Sequence, residues 1–395
     1  MYHILNRTTL YPDIIDEFSK AKERIIIDAY IWINDEIGNK LAQAVFSVAE
    51  RGVKVYIRKD LSGSVFEHTP GRIPFFLKKS DLEEGGPLMM SAKFFNNVAY
   101  HIYGKKSRPE IKPNIVLDSM GKHKNIFIDN FPLFNHGKLL VVDDISYVGG
   151  QCISNDYTIW KDYNIKIKNQ KVTENIIRKI NGEKEVHENQ DVIFLHNIFS
   201  KDKSIYHYMK DFIDDLKEKE KLLIEMSYFG MWFFPIIKKA IKRGVEVTIL
   251  TSKEADTNHH TNMLFLSKLL KLKKDNVAVF LSDDMIHTKG MVNTKKVIIG
   301  AANFHSANSF FKGLNEQNIY SENKELVNNI IDCFKKDIGE STKINNHLEL
   351  PKFSKRKAIV ERFFVLVSIY FVSFNKRKIQ KYRDVANERL VKEYV

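Results

Sequence analysis

Apolar residues in this chain fall into short continuous runs that alternate with segments of helical spacing. The same order of elements occurs twice. In the first half we predict a strand at 24–33, a helix at 37–50 and a strand at 51–57; in the second, a strand at 222–229, a helix at 231–242 and a strand at 243–250. Strand–helix–strand alternation favours parallel pairing. The pattern predicts an α/β fold of two similar lobes, each with a mixed, mostly parallel sheet flanked by helices.

Polar motifs repeat along with the apolar ones. His136-Gly137-Lys138 is followed, thirteen positions after the histidine, by Gly149-Gly150. His287-Thr288-Lys289 is followed at the same spacing by Gly300-Ala301. Short β-rich runs lie between each triplet and its small residues, so each half is predicted to place a His-x-Lys triplet at the mouth of a hairpin.

These triplets suit phosphodiester chemistry. Side chains at i and i+2 of an extended segment share a face, so imidazole and ammonium point into one space. Breaking a phosphodiester needs a nucleophile, a group that protonates the departing oxygen, and cations for the phosphoryl oxygens. Two histidines with an ordinary pKa of about 6.5 supply the first two groups at one pH. Lysines supply the charge, so we expect neither a metal nor a cofactor; the adjacent His259 and His260 are the nearest ligand candidates and fit a solvated pair as well.

Net charge bears on the kind of binding partner, and cysteine content bears on the cellular compartment; neither decides the function. The net charge of +13, from 62 basic and 49 acidic residues, favours nucleic acid or an anionic membrane surface, although an AT-rich coding sequence produces a similar excess of lysine. Cys152 and Cys333 are the only cysteines, which excludes a disulfide framework and favours a reducing compartment. The first residues lack the apolar stretch of a signal peptide.

These residues resemble the phospholipase D superfamily, and most closely its cardiolipin synthase-like branch. The resemblance covers most of residues 20–340. The residues that carry it are Asn135-His136-Gly137-Lys138, Asp143, Gly149-Gly150 and Trp160-Lys161-Asp162 in the first half, and His287-Thr288-Lys289, Gly300-Ala301-Ala302-Asn303 and Asn315-Glu316 in the second.

The resemblance implies a role for each matching position. His136 is the nucleophile and forms a phosphohistidine, while His287 acts as acid and then as base. Lys138, Lys289 and Asn303 hold the phosphoryl oxygens. Supporting roles fall to Asp162 and Glu316, which orient the imidazoles, and to Asp143, Gly149, Gly150 and Gly300. Glu316 lies later in the chain than the family spacing suggests.

Two positions depart from the family pattern. Thr294 stands where the first half has Asp143, and Cys152 stands where the second half has Asn303. A degenerate, lipid-binding member without activity is therefore an alternative, although both histidines and both lysines are present.

The first half is the longer one. Arg51 and His136 are 85 positions apart, whereas Arg243 and His287 are 44 apart. The difference is an insertion at about 62–130, rich in aromatic and basic residues, which we expect to rim the site and contact lipid; a simple cover for the sheet is the alternative. We predict lobes at 1–185 and 186–345, related by a pseudo-twofold with one shared active-site cleft.

The remaining residues, 346–395, form a basic, partly apolar tail. Its apolar run at 363–374 is shorter than the roughly 20 residues that span a bilayer. With basic residues on both sides, the segment 352–381 suits peripheral contact with an anionic membrane, and a helix packed on the core is the alternative. We expect a cytoplasmic, membrane-associated protein.

Three functions then compete. The first is transfer or hydrolysis at a phospholipid phosphodiester, as in making cardiolipin or phosphatidic acid. The second is a nuclease, which uses the same chemistry and suits the charge. The third is the inactive member. The sequence leaves oligomeric state undetermined.

Overall fold

The computed structural model describes residues 1–84, 90, 93–94, 97, 108–183, 191–197, 205–304 and 314–394. The chain divides into two compact units: Met1–Ile159 with Asn164–Glu188 and Phe371–Val395, and Trp160–Tyr163 with Asn189–Tyr370. The expected boundary at 185/186 lies outside the described residues. The units differ from the two continuous lobes predicted from the sequence in two segments. Trp160–Tyr163 packs with the second unit, and the C-terminal end packs with the first.

The first unit is built on a mixed sheet with the order β1-β7-β6-β5-β2-β3-β4 among the described residues. Its strands are β1 (Tyr2–Leu5), β2 (Arg24–Ala29), β3 (Lys54–Asp60), β4 (Ile126–Phe131), β5 (Leu139–Val142), β6 (Ile145–Gly149) and β7 (Asn164–Lys168). Its helices up to this point in the chain are α1 (Leu10–Lys20), α2 (Glu36–Glu50), α3 (Leu61–Glu67), α4 (Lys79–Glu84), α5 (Ile115–Lys122) and α6 (Gln170–Ile180).

The second unit has a sheet with the order β15-β11-β10-β9-β12-β13-β14-β8 over its described part. The strands are β8 (Val192–His196), β9 (Lys221–Met226), β10 (Glu246–Ser252), β11 (Val277–Ser282), β12 (Lys289–Val292), β13 (Val297–Gly300), β14 (Gln317–Ser321) and β15 (Thr342–Ile344). The helices are α7 (Ile205–Asp214), α8 (Phe234–Lys242), α9 (His259–Leu270), α10 (Lys324–Gly339) and α11 (Lys355–Phe374).

Parallel pairing in both sheets is confined to the strands that helices connect. β2–β3–β4 and β9–β10–β11 are parallel, and the other described pairings are antiparallel. The predicted α/β class with mixed sheets is confirmed, but the parallel share is smaller than the expectation of mostly parallel sheets. The reason is that hairpins return the chain antiparallel, whereas only helical crossovers return it parallel.

Local sequence explains the crossover in the first unit. Asp35 begins α2 by accepting a hydrogen bond from the Gly38 amide at 2.9 Å. The apolar positions of α2 are buried against the sheet. Gly52 follows the helix with φ +93°, and Gly244 follows α8 with φ +87°, a conformation in which a side chain is disfavoured. Both glycines turn the chain after a helix and lead it into the next parallel strand.

The internal repeat extends to strand register. Asp28 of β2 lies opposite Leu139, and Glu225 of β9 lies opposite Gly290, which are equivalent positions relative to the two triplets. Isolated bridges join Trp32 to Ile153 and Phe229 to Phe304, again at matching positions. Each unit has its own apolar core, on the faces that its helices cover.

Two helices follow β15 at the C-terminus, α11 and α12 (Lys376–Tyr394). Glu361 of α11 accepts hydrogen bonds from the Thr261 amide at 2.8 Å and the Thr261 hydroxyl at 2.7 Å, which fixes α11 to the start of α9. The last helix, α12, buries Ile379, Ala386 and Leu390 in the first unit. None of the described helices combines the length and hydrophobicity needed to cross a bilayer.

Part of the expected insertion belongs to the core. Phe75 and Phe76 are fully buried and pack on Trp32, with ring centroids 5.6 and 5.2 Å away. Of the two alternatives for the insertion, these two aromatic residues fit the cover for the sheet. The apolar residues 88–89 and most of the aromatic and basic residues between 95 and 107 lie outside the described residues.

Candidate active site

In the second unit a short bridge brings an acid to His287. Lys161 forms a β-bridge with Ile286, and the His287 amide donates to the Lys161 carbonyl at 2.7 Å. This bridge places Asp162 beside the imidazole, with Oδ2 at 2.7 Å from Nδ1. The other carboxylate oxygen accepts the Tyr163 amide at 2.8 Å. Asp162 is thus held at both oxygens and fixes the ring of His287.

The Nδ1 contact determines which nitrogen is available for chemistry. A carboxylate accepts hydrogen bonds, so Nδ1 carries a proton and Nε2 is left for a reacting group. The Lys289 ammonium lies 2.8 Å from the same Nδ1, but two donors cannot share a hydrogen bond. Lys289 therefore donates to the His287 carbonyl and, at 3.1 Å, to the Ser227 hydroxyl. Its positive charge stays beside the imidazole.

Acidic side chains also contact Lys161, the neighbour of Asp162 in the chain. Lys161 pairs with Asp337 at 2.9 Å and Glu340 at 2.6 Å, and although burial opposes it, these partners raise the pKa of Lys161. Glu225, fully buried in β9, has a pKa raised well above its ordinary value, first by burial and then by repulsion from Asp337. Burial and this repulsion thus favour the neutral form of Glu225, which interacts with Thr288 and Asp162.

In the first unit His136 lies against an aromatic ring. The centroids of Tyr30 and His136 are 4.7 Å apart, edge to face, and the Lys138 ammonium lies 5.3 Å from the centre of the Tyr30 ring. Lys138 donates to the His136 carbonyl at 2.5 Å, the same backbone contact that Lys289 makes with its own histidine. Imidazole and ammonium lie on one side of the backbone in both triplets. A cavity of about 40 Å³ adjoins Lys138 and reaches Cys152.

Asp143 has a structural task. It occupies the turn between β5 and β6 with φ +48° and accepts hydrogen bonds from the amides of Lys22, Glu23 and Arg24 at 2.9–3.0 Å. In the second unit the corresponding turn contains Thr294. There Asn293 accepts from the amides of Lys295 and Lys296 at 2.8 Å and closes the turn. Asn293 thus closes its own turn, whereas Asp143 ties the turn of the first unit to the residues before β2.

The predicted glycines lie at strand ends. Gly149 pairs with Asn164, the first residue of β7, and Gly300 pairs with Asn318, the second residue of β14. A Cβ on Gly300 would lie 2.4 Å from the Gln317 carbonyl oxygen, so the close approach of β14 requires glycine. Gly150 follows β6 and is buried.

The same register accounts for the late position of Glu316. Asp162 lies two residues before Asn164, and Glu316 lies two residues before Asn318. The two acids are therefore structural counterparts, separated from their glycines by connections of different length. Glu316 is fully buried, and Asn303, three residues after Gly300, is 3% exposed. The assignment of a chemical role to either residue remains a prediction.

Sequence reasoning missed Tyr30 and Ser227. Each is the first residue after the parallel strand that borders the hairpin of its unit, β2 or β9, and each contacts the lysine of its triplet. The repeat itself was the available signal, because these positions correspond when the two strands are aligned. The match was missed because one position holds a tyrosine and the other a serine.

The candidate metal ligands His259 and His260 begin α9. Burial lowers the pKa of His260, whose Nδ1 accepts from the Ser354 amide at 3.4 Å. Across the described parts of the chain, groups of three or more His, Cys, Asp or Glu side chains that could hold a metal ion are absent.

Comparison with known proteins gives matches in sequence and matches in fold. Residues 212–338 match the family model "Cardiolipin synthase, PLD-like domain". Cardiolipin synthase B of Salmonella typhi is 24% identical over 280 residues, covering 64% of this chain and 59% of the relative. The major cardiolipin synthase ClsA of Bacillus subtilis is 24% identical over 383 residues, covering 89% of this chain and 72% of the relative. The chain thus spans somewhat more than half the length of the first of these relatives.

Among solved structures, phosphatidylserine synthase of Haemophilus influenzae shares the fold, with a TM-score of 0.66 and 13% identity over 93% of this chain and 95% of that one. The sequence matches and the structural match agree with each other. They confirm the resemblance predicted from the doubled His-x-Lys motif: this chain is similar to the phospholipase D superfamily, and cardiolipin synthases are among its relatives.

Proposed function

We propose that this protein transfers the phosphatidyl group of a phospholipid to an alcohol, in the manner of a cardiolipin synthase, through a phosphohistidine and without a resident metal. The observation that carries the proposal is the 2.7 Å hydrogen bond between Asp162 and Nδ1 of His287, which occupies Nδ1 and so assigns the proton exchange with substrate to Nε2. The relatives named as cardiolipin synthases support a lipid substrate.

In the first step His136 attacks phosphorus. An N–P bond forms as the bond from phosphorus to the leaving oxygen breaks, and Nε2 of His287 gives its proton to that oxygen. The Asp162 carboxylate stabilises the imidazolium of His287 before the transfer and holds the ring in place. Tyr30 against the His136 ring limits its rotation, so the attacking nitrogen is oriented before substrate binds.

In the second step the acceptor alcohol gives its proton to Nε2 of His287 and attacks phosphorus. The N–P bond breaks and returns His136 to its neutral form. Lys138, Lys289 and Asn303 are proposed to stabilise the charge on the phosphoryl oxygens. Lys289 is fully buried, so its charge acts at low dielectric and is screened little by solvent.

Water in place of the alcohol gives phosphatidic acid instead. The same two steps apply, and the choice depends on which acceptor reaches the phosphohistidine. Cys152 is the residue that most weakens the proposal, because it supplies no amide where the second unit has Asn303. The intact triplets favour an active enzyme over a degenerate one.

Peripheral membrane contact is part of the proposal. Among the described side chains of α11, five of the exposed large apolar ones are spaced by three or four residues, which places them on one face of the helix: Ile359, Phe363, Leu366, Tyr370 and Phe374. Exposed basic residues precede and follow this apolar stripe, at Lys355, Arg356, Lys357, Lys376, Arg377 and Lys378. An apolar face between cations fits an anionic phospholipid surface. Contact by the 62–130 insertion stays a proposal without this support.

The membrane contact is tested by sedimentation with phosphatidylglycerol vesicles. Phe363→Asp combined with Leu366→Asp should lower vesicle binding at least tenfold. Leu348→Asp is the matched control, because Leu348 is 83% exposed in the same unit and lies outside the stripe. Equal loss in the control, or unchanged binding in the double variant, would count against the stripe.

The activity is tested by incubating the protein, in EDTA, with phosphatidylglycerol vesicles and separately with single-stranded DNA. Products are identified by mass spectrometry, with His136→Ala beside the wild type. We expect cardiolipin and glycerol, lost in the variant. Phosphatidic acid would mean hydrolysis, cleaved DNA alone would mean a nuclease, and no product from either would favour the inactive member.

A further inference from the structure

The chain enters the first triplet through a turn with an unusual backbone. Phe134, two residues before His136, has φ +49°. A residue with a side chain pays a steric cost in this left-handed region, and such a conformation persists only where neighbours hold it. The residues that hold this turn therefore also set the direction in which His136 leaves it.

One neighbour is a buried arginine from the last helix. Arg383 of α12 donates through Nε to the Leu133 carbonyl at 3.0 Å, and through a terminal nitrogen to the Phe134 carbonyl at 3.1 Å. The side chain is 7% exposed, and burial lowers its pKa to about 10. A planar guanidinium that spans two successive carbonyls fixes the orientation of both peptide units.

A buried carboxylate holds the next peptide. Asp60, at the end of β3, accepts a hydrogen bond from the Asn135 amide and is 1% exposed. The Asn135 side chain in turn accepts from the Gly137 amide at 3.0 Å. The turn is thus held by the Arg383 guanidinium at its carbonyls and by the Asp60 carboxyl at its amide. Burial raises the pKa of Asp60, while Arg383 attracts its charged form.

Other contacts fix α12 in place without Arg383. The Tyr56 hydroxyl donates to the Ala386 carbonyl at 2.7 Å, Arg58 donates to Asn387 at 3.1 Å, and Arg389 pairs with Asp129 at 2.8 Å. These partners belong to β3 and β4 and not to the turn itself. Because these contacts already hold the helix, we infer that the two hydrogen bonds of Arg383 serve mainly to hold the turn that leads to His136.

We propose that Arg383 is a positioning residue for His136: the C-terminal helix uses it to hold the backbone turn from which the nucleophile projects. The proposal rests on the proposed function for its catalytic meaning, but the positioning of the imidazole is measurable without any substrate.

The test compares Arg383→Gln and Arg383→Lys with Arg389→Gln in the full chain. The control removes an arginine of the same helix that touches β4 and not the turn. With phosphatidylglycerol, Arg383→Gln should lower kcat at least tenfold with KM changed less than threefold, Arg383→Lys should restore part of kcat, and Arg389→Gln should stay within threefold of wild type.

The substrate-free readout is the rate of carbethoxylation of His136 by diethyl pyrocarbonate, followed by peptide mass spectrometry. Loosening the turn should raise this rate at least threefold in Arg383→Gln, while His287, in the same sample, reacts as in the wild type. An unchanged ratio of the two rates, or the same change in Arg389→Gln, overturns the proposal. If the wild type lacks lipid activity, the proposed function fails and the reactivity ratio still decides the positioning.

Discussion

At His287 the fold gives the two imidazole nitrogens different tasks. Asp162 occupies Nδ1, and its second oxygen is tied to the Tyr163 amide, so the carboxylate cannot rotate away without losing a bond. Orientation of a catalytic imidazole by a buried acid contributes through both geometry and charge. The proposed role of His287 as acid and base rests on this pair.

Asp162→Asn should lower kcat for phosphatidyl transfer roughly 100- to 10,000-fold, because an amide can present its NH2 group to Nδ1 and stabilise the wrong tautomer. The thermal midpoint should change little, since the side chain keeps its size. Asp283→Asn is the control: Asp283 is an exposed acid of the same unit that pairs with Lys253. A kcat within threefold of the wild type for Asp162→Asn would contradict the assignment.

A buried pair in the first unit gives a pH prediction. Glu67 contacts Lys59 at 3.1 Å, both fully buried, and burial raises the pKa of Glu67 to about 7 although Lys59 opposes the shift. The folded state then binds more protons than the unfolded state between pH 4.5 and about 7. Stability attributable to Glu67 is greatest below pH 4.5 and falls as pH rises through this window.

Glu67→Gln should remove that fall. Free energies of unfolding from urea titrations at pH 5 and pH 8 should drop less in the variant than in the wild type, by up to about 3 kcal/mol. Parallel pH profiles for the two proteins would show that Glu67 titrates normally.

At the scale of elements, the hairpins that follow each triplet depend on close strand packing. Gly300 has no room for a side chain against Gln317 and Asn318 of β14, whereas Gly121 in α5 has open space around it. Gly300 allows the close approach of two strands, whereas Gly121 only lowers the stability of its helix because glycine has a low helix propensity.

Gly300→Ala should therefore destabilise the protein by about 1–3 kcal/mol, as overpacking does. Gly121→Ala should stabilise it by about 0.5–1 kcal/mol because alanine favours the helix. Urea unfolding midpoints measure both. The interpretation fails if the two substitutions shift the midpoint in the same direction.

At the scale of the whole molecule, the C-terminal residues complete the two units and are not an appendage. Glu361 joins α11 to the second unit, and α12 buries apolar residues in the first. Membrane contact and core packing, which the sequence presented as alternatives for this tail, are compatible because α11 is both anchored and exposed on one face.

Two neighbouring residues test the docking of α12. Leu390 is fully buried and Val391 is 37% exposed. Leu390→Ala should cost about 2–5 kcal/mol of unfolding free energy, whereas Val391→Ala should cost about 0.5 kcal/mol or less. Similar values for both in urea titrations would indicate a helix that is not packed on the first unit.

The sequence by itself determined the elements and the doubled motif. Strand and helix periods are local, so the order of β2, α2 and β3 and its repeat in the second half could be read directly. The two histidines and two lysines were found because the repeat places them at matching positions.

Tertiary structure alone decided which distant residues meet. Asp162 reaches His287 across 125 positions, and Arg383 reaches Leu133 across 250. Neither contact leaves a periodic trace in the sequence, because side-chain hydrogen bonds depend on how whole strands and helices pack. The same reason explains why the parallel share of the sheets was overestimated: strand period predicts a strand, but its neighbours in the sheet are set by the path of the chain.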